Sequence, residues 1–279
     1  MFKQLTRAFV YSNIFIALCA VVMSYQTYQL VLKTTPDISL LIFIFFSTIC
    51  SYSFHWYLTL HSEIPSDRIG WVHKHRIVHA VLFFFGLAGS VFYFFSLLAH
   101  WFWLSVSALV TFLYSAPKIP HPYFRALRKI AIGKTIFLAI VWTYVTAVLP
   151  VIISGESWRT DAVLFTVSRF FLVYAICVLF DYRDREDDKV AGIRSMVTWF
   201  GDEGINRLFI VSIGIYVIAT IWMYYYNYSI KSIILLLVPG FIVTILYNYA
   251  RKHFDDLFYY FVLDGLMMFS GLLMMLLGI

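Results

Sequence analysis

The sequence predicts an all-α membrane protein, a polytopic bundle of about nine transmembrane helices. Three observations carry that reading. Of the 279 residues, 62% are hydrophobic and only 13% charged, whereas soluble domains carry roughly a quarter charged residues. The apolar residues fall in long unbroken runs, each near the ~20 residues that a helix needs to cross a bilayer. Basic residues are confined almost wholly to alternate gaps between those runs. No water-facing fold has an interior that could hide this much Phe, Leu, Ile and Val, and a membrane barrel would show short alternating segments instead.

The first run, 9–31, is too long for a signal-peptide core and lacks a small-residue cleavage site, so it reads as a retained span. The second covers 38–60. A polar stretch follows at 63–76, expected to be a solvated loop over the mouth of the bundle; its His73 and His75 do not share a helix face, so no metal site is expected there. The third run, 77–98, carries a Phe-rich stretch at 83–95 that reads as lipid-facing or packing surface ahead of the wall of an apolar tunnel. His100 and Trp101 mark an interface in the short turn before the fourth run, 101–117. After a basic loop come the fifth, 131–153, and the sixth, 161–180; a second long polar loop then leads to runs at 207–227, 231–249 and 257–278. Cys19, Cys50 and Cys177 all lie inside apolar runs without metal-ligand spacing and read as small buried hydrophobes.

Orientation follows from the cations. Lys3 and Arg7, then Arg68, Lys74 and Arg76, then Lys118, Arg125, Arg128, Lys129 and Lys134 all fall on one side. Arg183, Arg185, Lys189, Arg194 and Arg207, with Arg251 and Lys252, bring that side to seventeen, against Lys33, Arg159 and Lys231 on the other. The positive-inside rule makes the N-terminus cytoplasmic, and nine spans put the C-terminus outside. The net charge of +6 therefore reports topology and not a nucleic-acid partner. With no transit-like N-terminus, the expected location is a bacterial cytoplasmic membrane. Arg169 and Asp264 are charges inside spans. Such charges are costly and face an interior or a partner, and these two are expected to pair.

The residues that carry chemistry cluster at the end of the sixth span. Seven of the fifteen acidic residues lie between Asp181 and Glu203. If the helix continues past the span, Asp181, Asp184 and Asp188 fall within about 60° of one another around its axis. Three carboxylates on one face repel unless a cation neutralises them. Hard oxygen donors suit Mg²⁺, which keeps several waters and bridges to substrate phosphates, and a metal there would offset charge on a departing diphosphate. The competing reading is a solvated loop in which the interleaved Arg183, Arg185 and Lys189 neutralise the acids.

Asp181-Tyr-Arg-Asp184-Arg-Glu-Asp-Asp188, followed by Gly192-Ile-Arg194-Ser195, resembles the second aspartate-rich motif, DxxDxxxD, of the UbiA-type membrane prenyltransferases. Tyr114-Ser115-Ala-Pro117-Lys118, Gly133-Lys134 and Trp142-Thr143 resemble that family's fourth and fifth helices, and the resemblance covers essentially the whole chain, 1–279, as one transmembrane domain. It implies a helical bundle around a central cavity that opens to lipid. It also implies that Asp181, Asp184 and Asp188 hold Mg²⁺ and act in catalysis, while Tyr114, Lys118, Lys134 and Arg194 bind substrate. The substrate would be a prenyl diphosphate, whose ionisation leaves an allylic carbocation for a lipophilic or aromatic acceptor of the quinone-precursor type to capture. Arg125, Arg128 and Lys129 read as topology signal and attraction to anionic lipid.

One motif departs. The family carries a first aspartate-rich motif, NDxxDxxxD, at the end of helix 2, where this chain reads Ser51-Tyr-Ser-Phe-His55-Trp-Tyr-Leu-Thr-Leu-His61. The first acids, Glu63 and Asp67, are out of spacing. Three consequences stay open: a single Mg²⁺ whose shell the diphosphate completes, a contribution from His55 and His61, or loss of the ionisation chemistry. The last would leave a non-catalytic relative that binds or chaperones an isoprenoid. A transporter is a further class, but only Pro150 and Pro239-Gly240 hint at the broken helices it would need.

Overall fold

The computed structural model describes residues 2–59, 66–119, 121, 134–190 and 196–279. Among them nine helices are long and apolar enough to cross a membrane. They are α1 Ile14–Leu32, α2 Ile38–Tyr57, α3 Arg76–Ser96, α4 Leu98–Ser115, α5 Thr135–Ser154, α6 Thr160–Arg183, α7 Phe200–Tyr226, α8 Ile230–Ala250 and α9 Phe258–Leu277. The protein is an integral membrane protein with an all-helical fold, as the apolar runs predict.

Two boundaries differ from the predicted runs by five residues or more, each for a backbone reason that hydropathy averages away. α1 begins at Ile14 because Asn13 adopts a left-handed φ of 68° and separates it from an N-terminal helix, Phe2–Tyr11. α7 starts seven residues before the predicted 207, across a non-helical joint at Gly201 with φ 64° and ψ 179°. Elsewhere local signals act as expected. Asp37 caps α2 by accepting from the Leu40 N–H at 3.1 Å, and Ser229 caps α8 from the Ser232 N–H at 3.1 Å.

α1 and α6 are the most enclosed spans, α3 and α4 the least. α2 packs along α3, α1 against α2 and α9, and α6 against α5 and α7. Gly86 permits the close approach of α2 and α3: a Cβ there would lie 2.6 Å from the Cys50 nitrogen and 2.8 Å from the Phe46 carbonyl oxygen. With Ser90 it forms the small-residue stripe that membrane helices use to bring backbones together.

Three spans contain π-helical segments, Thr27–Leu32 in α1, Tyr144–Val148 in α5 and Phe258–Leu263 in α9. Arg169 of α6 lies between the first two. Its guanidinium donates to Thr27 Oγ1 at 2.8 Å, to the Thr146 carbonyl at 2.6 Å and to Gln26 Oε1 at 2.8 Å, and lies 4.4 Å from the Phe165 ring. The expected pairing of Arg169 with Asp264 does not form. The reason is depth: at 1.5 Å per residue, Arg169 sits about 21 Å along α6 from its basic end, and Asp264 only about 9 Å into α9. Asp264 lies instead within electrostatic reach of Arg68 and Arg183.

Candidate functional site

A cavity of about 570 Å³ lies between α2, α3, α4 and α5, within the ~300–1,000 Å³ typical of ligand sites. Its wall is mostly apolar, with Phe54, Phe83, Leu87, Phe94 and Phe112 prominent. The Phe-rich stretch of α3 therefore does more than face lipid. Helical phase splits it: Phe83, Leu87 and Phe94 line the cavity, while Phe84, Phe85, Phe92 and Phe95 point outward. Polar groups gather toward the ends of α2 and α4. The Trp142 indole N–H donates to Tyr52 OH at 3.2 Å, the His55 ring stacks on Tyr114 at 5.1 Å between centroids, and His55 Nδ1 shares a hydrogen bond with Ser115 Oγ at 3.3 Å.

Directly beyond His55 a cluster of cations is built on aromatic faces. The Arg68 side chain, with 3% of its residue surface exposed, lies 4.0 Å from the ring of Trp56 and 4.0 Å from that of Tyr260. Lys118 Nζ sits 5.6 Å over Trp56 and donates to Thr59 Oγ1. Asp256, in the α8–α9 connection, gathers the Arg68 backbone N–H at 2.8 Å, the Ser66 hydroxyl at 2.9 Å and Arg183 at 2.5 Å. Arg183 also donates to the Tyr260 hydroxyl, and Arg68 to Asn13 Oδ1 at 2.7 Å. Burial pulls the Arg68 guanidinium down from its ordinary value, while Tyr260, Asp264 and Asp256 oppose that pull. Its Nε is buried and makes no hydrogen bond.

Over its described residues, 66–76, this corrects the expectation of a solvated loop. Residues Asp67–Lys74 form a helix capped by Ser66, which accepts from the Ile69 N–H at 3.2 Å, and the helix docks Arg68 into the bundle. Asp67 pairs with Arg7. A guanidinium is weakly hydrated and stacks readily on aromatic rings, so polar composition did not imply exposure.

The predicted aspartates are placed differently from one another. Asp181 is 4% exposed and accepts from the Thr135 hydroxyl of α5. Asp184 is half-buried at the C-cap of α6, within electrostatic reach of Arg183, Tyr259 and Tyr260. α6 ends at Arg183, with a ψ of 1° at Asp184, and a separate helix, Arg185–Val190, follows. The side chains of Asp188 and Lys134, and all of Arg194, Arg125, Arg128, Lys129, His61 and Glu63, lie outside the described residues. Two of the interleaved cations pair with acids of the same stretch, Arg185 with Asp202 at 3.0 Å and Lys189 with Glu186 at 2.7 Å, while Arg183 bonds Asp256.

Tyr114 and Lys118, by contrast, do come together against the end of α2. Sequence reasoning missed Trp56, Arg183 as a cluster member, Asp256 and Tyr260. Only Arg183, lodged inside the aspartate repeat, carried any local signal. For magnesium, Asp181 and Asp184 offer the right hard oxygen chemistry, but among the described residues no three His, Cys, Asp or Glu side chains assemble to hold a metal. The donors fit magnesium from the α6 side alone. The end of α2 presents no carboxylate but Trp56, with Arg68 and Lys118 against its ring.

Solved structures share this helical fold end to end. A UbiA homologue from Aeropyrum pernix K1 superimposes with a TM-score of 0.63 at 12% identity, over 97% of this chain and 98% of its own. A digeranylgeranylglyceryl phosphate synthase does so with a TM-score of 0.55 at 13% identity, over 98% of each chain. No curated protein matches in sequence. Family membership rests on sequence: the model of the UbiA prenyltransferase family matches residues 59–271, and the protein belongs to that family.

Proposed function

We propose that the protein is a prenyltransferase that moves a prenyl group from a prenyl diphosphate to a lipophilic or aromatic acceptor of the quinone-precursor type. One observation supports this above the others: an apolar cavity of about 570 Å³ adjoins a buried cation cluster. A prenyl diphosphate combines the same two chemistries in one molecule.

The hydrocarbon tail lies among Phe54, Phe83 and Phe94, and the diphosphate is drawn to Arg68, Lys118 and Arg183. Arginine forks match phosphate oxygens well. Asp181, Asp184 and Asp188 would hold Mg²⁺, which when bound offsets charge on the leaving diphosphate. Tyr114, Lys134 and Arg194 complete the substrate contacts. The ring face of Tyr114 stabilises positive charge developing on the prenyl carbon, and the apolar wall keeps out water that would capture it. The basic end faces the cytoplasm, in keeping with the distribution of cations.

Protein reconstituted in liposomes with radiolabelled prenyl diphosphate, Mg²⁺ and a panel of phenolic quinone precursors is expected to yield prenylated product and pyrophosphate. A second reading, an isoprenoid binder without chemistry, is favoured by the lack of a carboxylate on α2. It predicts saturable binding of prenyl diphosphate with no pyrophosphate released at any chain length or with any acceptor, and that result would overturn the transfer reading.

A further inference from the structure

His55 stands where the cavity meets the cation cluster. It lines the cavity, and its neighbour Trp56 carries Arg68 and Lys118 on its ring. The His55 carbonyl accepts from the Thr59 hydroxyl at 2.9 Å, and that hydroxyl accepts from Lys118. In a prenyl diphosphate the reacting carbon joins tail to phosphate. A molecule placed with its tail in the cavity and its phosphates on the cations therefore puts that carbon beside His55.

Transfer onto an acceptor X–H also releases a proton, and the cavity offers few places to put it. Among the described residues no Asp, Glu, Lys or Arg lines it; besides His55 the titratable residues there are Tyr52, Tyr114 and Cys50. Ordinary tyrosine and cysteine titrate near about 10 and 8.5, histidine near about 6.5. Histidine alone among them takes and returns a proton readily at neutral pH.

We propose that His55 is the proton acceptor for the incoming nucleophile, an inference that rests on the transfer reading above. Two contacts from α4 hold its ring, the 3.3 Å hydrogen bond to Ser115 Oγ and the stack on Tyr114 at 5.1 Å and 17°. With Nδ1–H donating to Ser115, the lone pair lies on Nε2. The bond from X to the prenyl carbon forms, and the carbon–oxygen bond breaks with its electron pair leaving on diphosphate. The X–H proton passes to Nε2, and the imidazolium stands against the electron-rich face of Tyr114 until the proton moves on to diphosphate or water. The α2 segment that lacks carboxylates thus serves the acceptor side of the reaction.

The test counts two products in reconstituted protein given radiolabelled farnesyl or geranylgeranyl diphosphate and a panel of phenolic acceptors: diphosphate released and prenylated acceptor. His55→Ala is expected to lower prenylated acceptor per diphosphate released by about 100-fold, in the range of general-base effects, with prenyl alcohol formed by water capture in its place. Added imidazole is expected to restore much of the ratio, which it would not do for a purely structural defect. If the alanine variant misfolds, His55→Gln serves, with the same expected loss. A ratio that stays at the wild-type value, or a loss that imidazole leaves untouched in folded protein, overturns the assignment. Wild-type protein that releases no diphosphate overturns the transfer reading and the assignment together.

Discussion

Buried guanidinium groups occur at two depths of this bundle, and they keep different company. Arg169, deep in α6, is surrounded by neutral acceptors from α1 and α5, and none of those partners lines the cavity. At the basic end Arg183 pairs with Asp256, the carboxylate that also holds the Arg68 backbone N–H; the Arg68 and Arg183 guanidinium groups stack on aromatic rings, and Arg68 keeps a buried N–H with no acceptor. A cation saturated by neutral dipoles gives nothing to a ligand and acts as scaffold. A cation stacked on aromatic faces with a donor to spare is placed to meet an anion.

Three substitutions break or sharpen that contrast. Asp256→Ala removes the carboxylate shared by the cluster and breaks the buried ion pair with Arg183. The expected loss is about 3–5 kcal/mol of stability, read by denaturant unfolding in bicelles, and a much smaller loss would mean that the cluster is not built around Asp256. Arg169→Met takes one donor from each of the acceptors on Gln26, Thr27 and Thr146, and should cost about 2–3 kcal/mol while leaving pyrophosphate affinity as it was. Weakened affinity with stability intact would dissolve the distinction between the two depths. Arg68→Lys keeps the charge but loses the planar fork between Trp56 and Tyr260. Pyrophosphate affinity, measured by calorimetry, is expected to fall about tenfold, or about 1.4 kcal/mol; an unaltered Kd would show that stacking there serves packing only.

Much of the fold was legible because lipid imposes a simple rule: a helix that crosses a bilayer must be long and apolar, and each of the nine runs obeys it. What escaped notice were breaks within apolar sequence, such as the left-handed turn at Asn13 and the π segments, since neither alters average hydropathy. The aspartates of α6 were visible through their spacing. Their setting was not: the Thr135 hydroxyl that Asp181 accepts from comes from another helix, and no residue type announces the break between two helices at Asp184. The cation cluster was least legible. Arg68 and Asp256 meet across 188 positions, and a polar stretch such as 66–74 looks the same whether it is solvated or docked. His55 was noticed only as a substitute for missing carboxylates; the stack on Tyr114 that fixes its ring comes from another helix.

The cavity's outer wall is α3 and α4, the two spans least enclosed by the rest of the protein. One layer of side chains, with Phe83 and Phe94 inside and Phe84 and Phe95 outside, separates the cavity from acyl chains. A hydrophobic reactant that arrives through such a wall is counted by its mole fraction in the bilayer and not by its bulk concentration. Diluting the membrane with empty lipid should then slow turnover even when every reagent is held constant per millilitre, and products would spread sideways into the leaflet without ever meeting water.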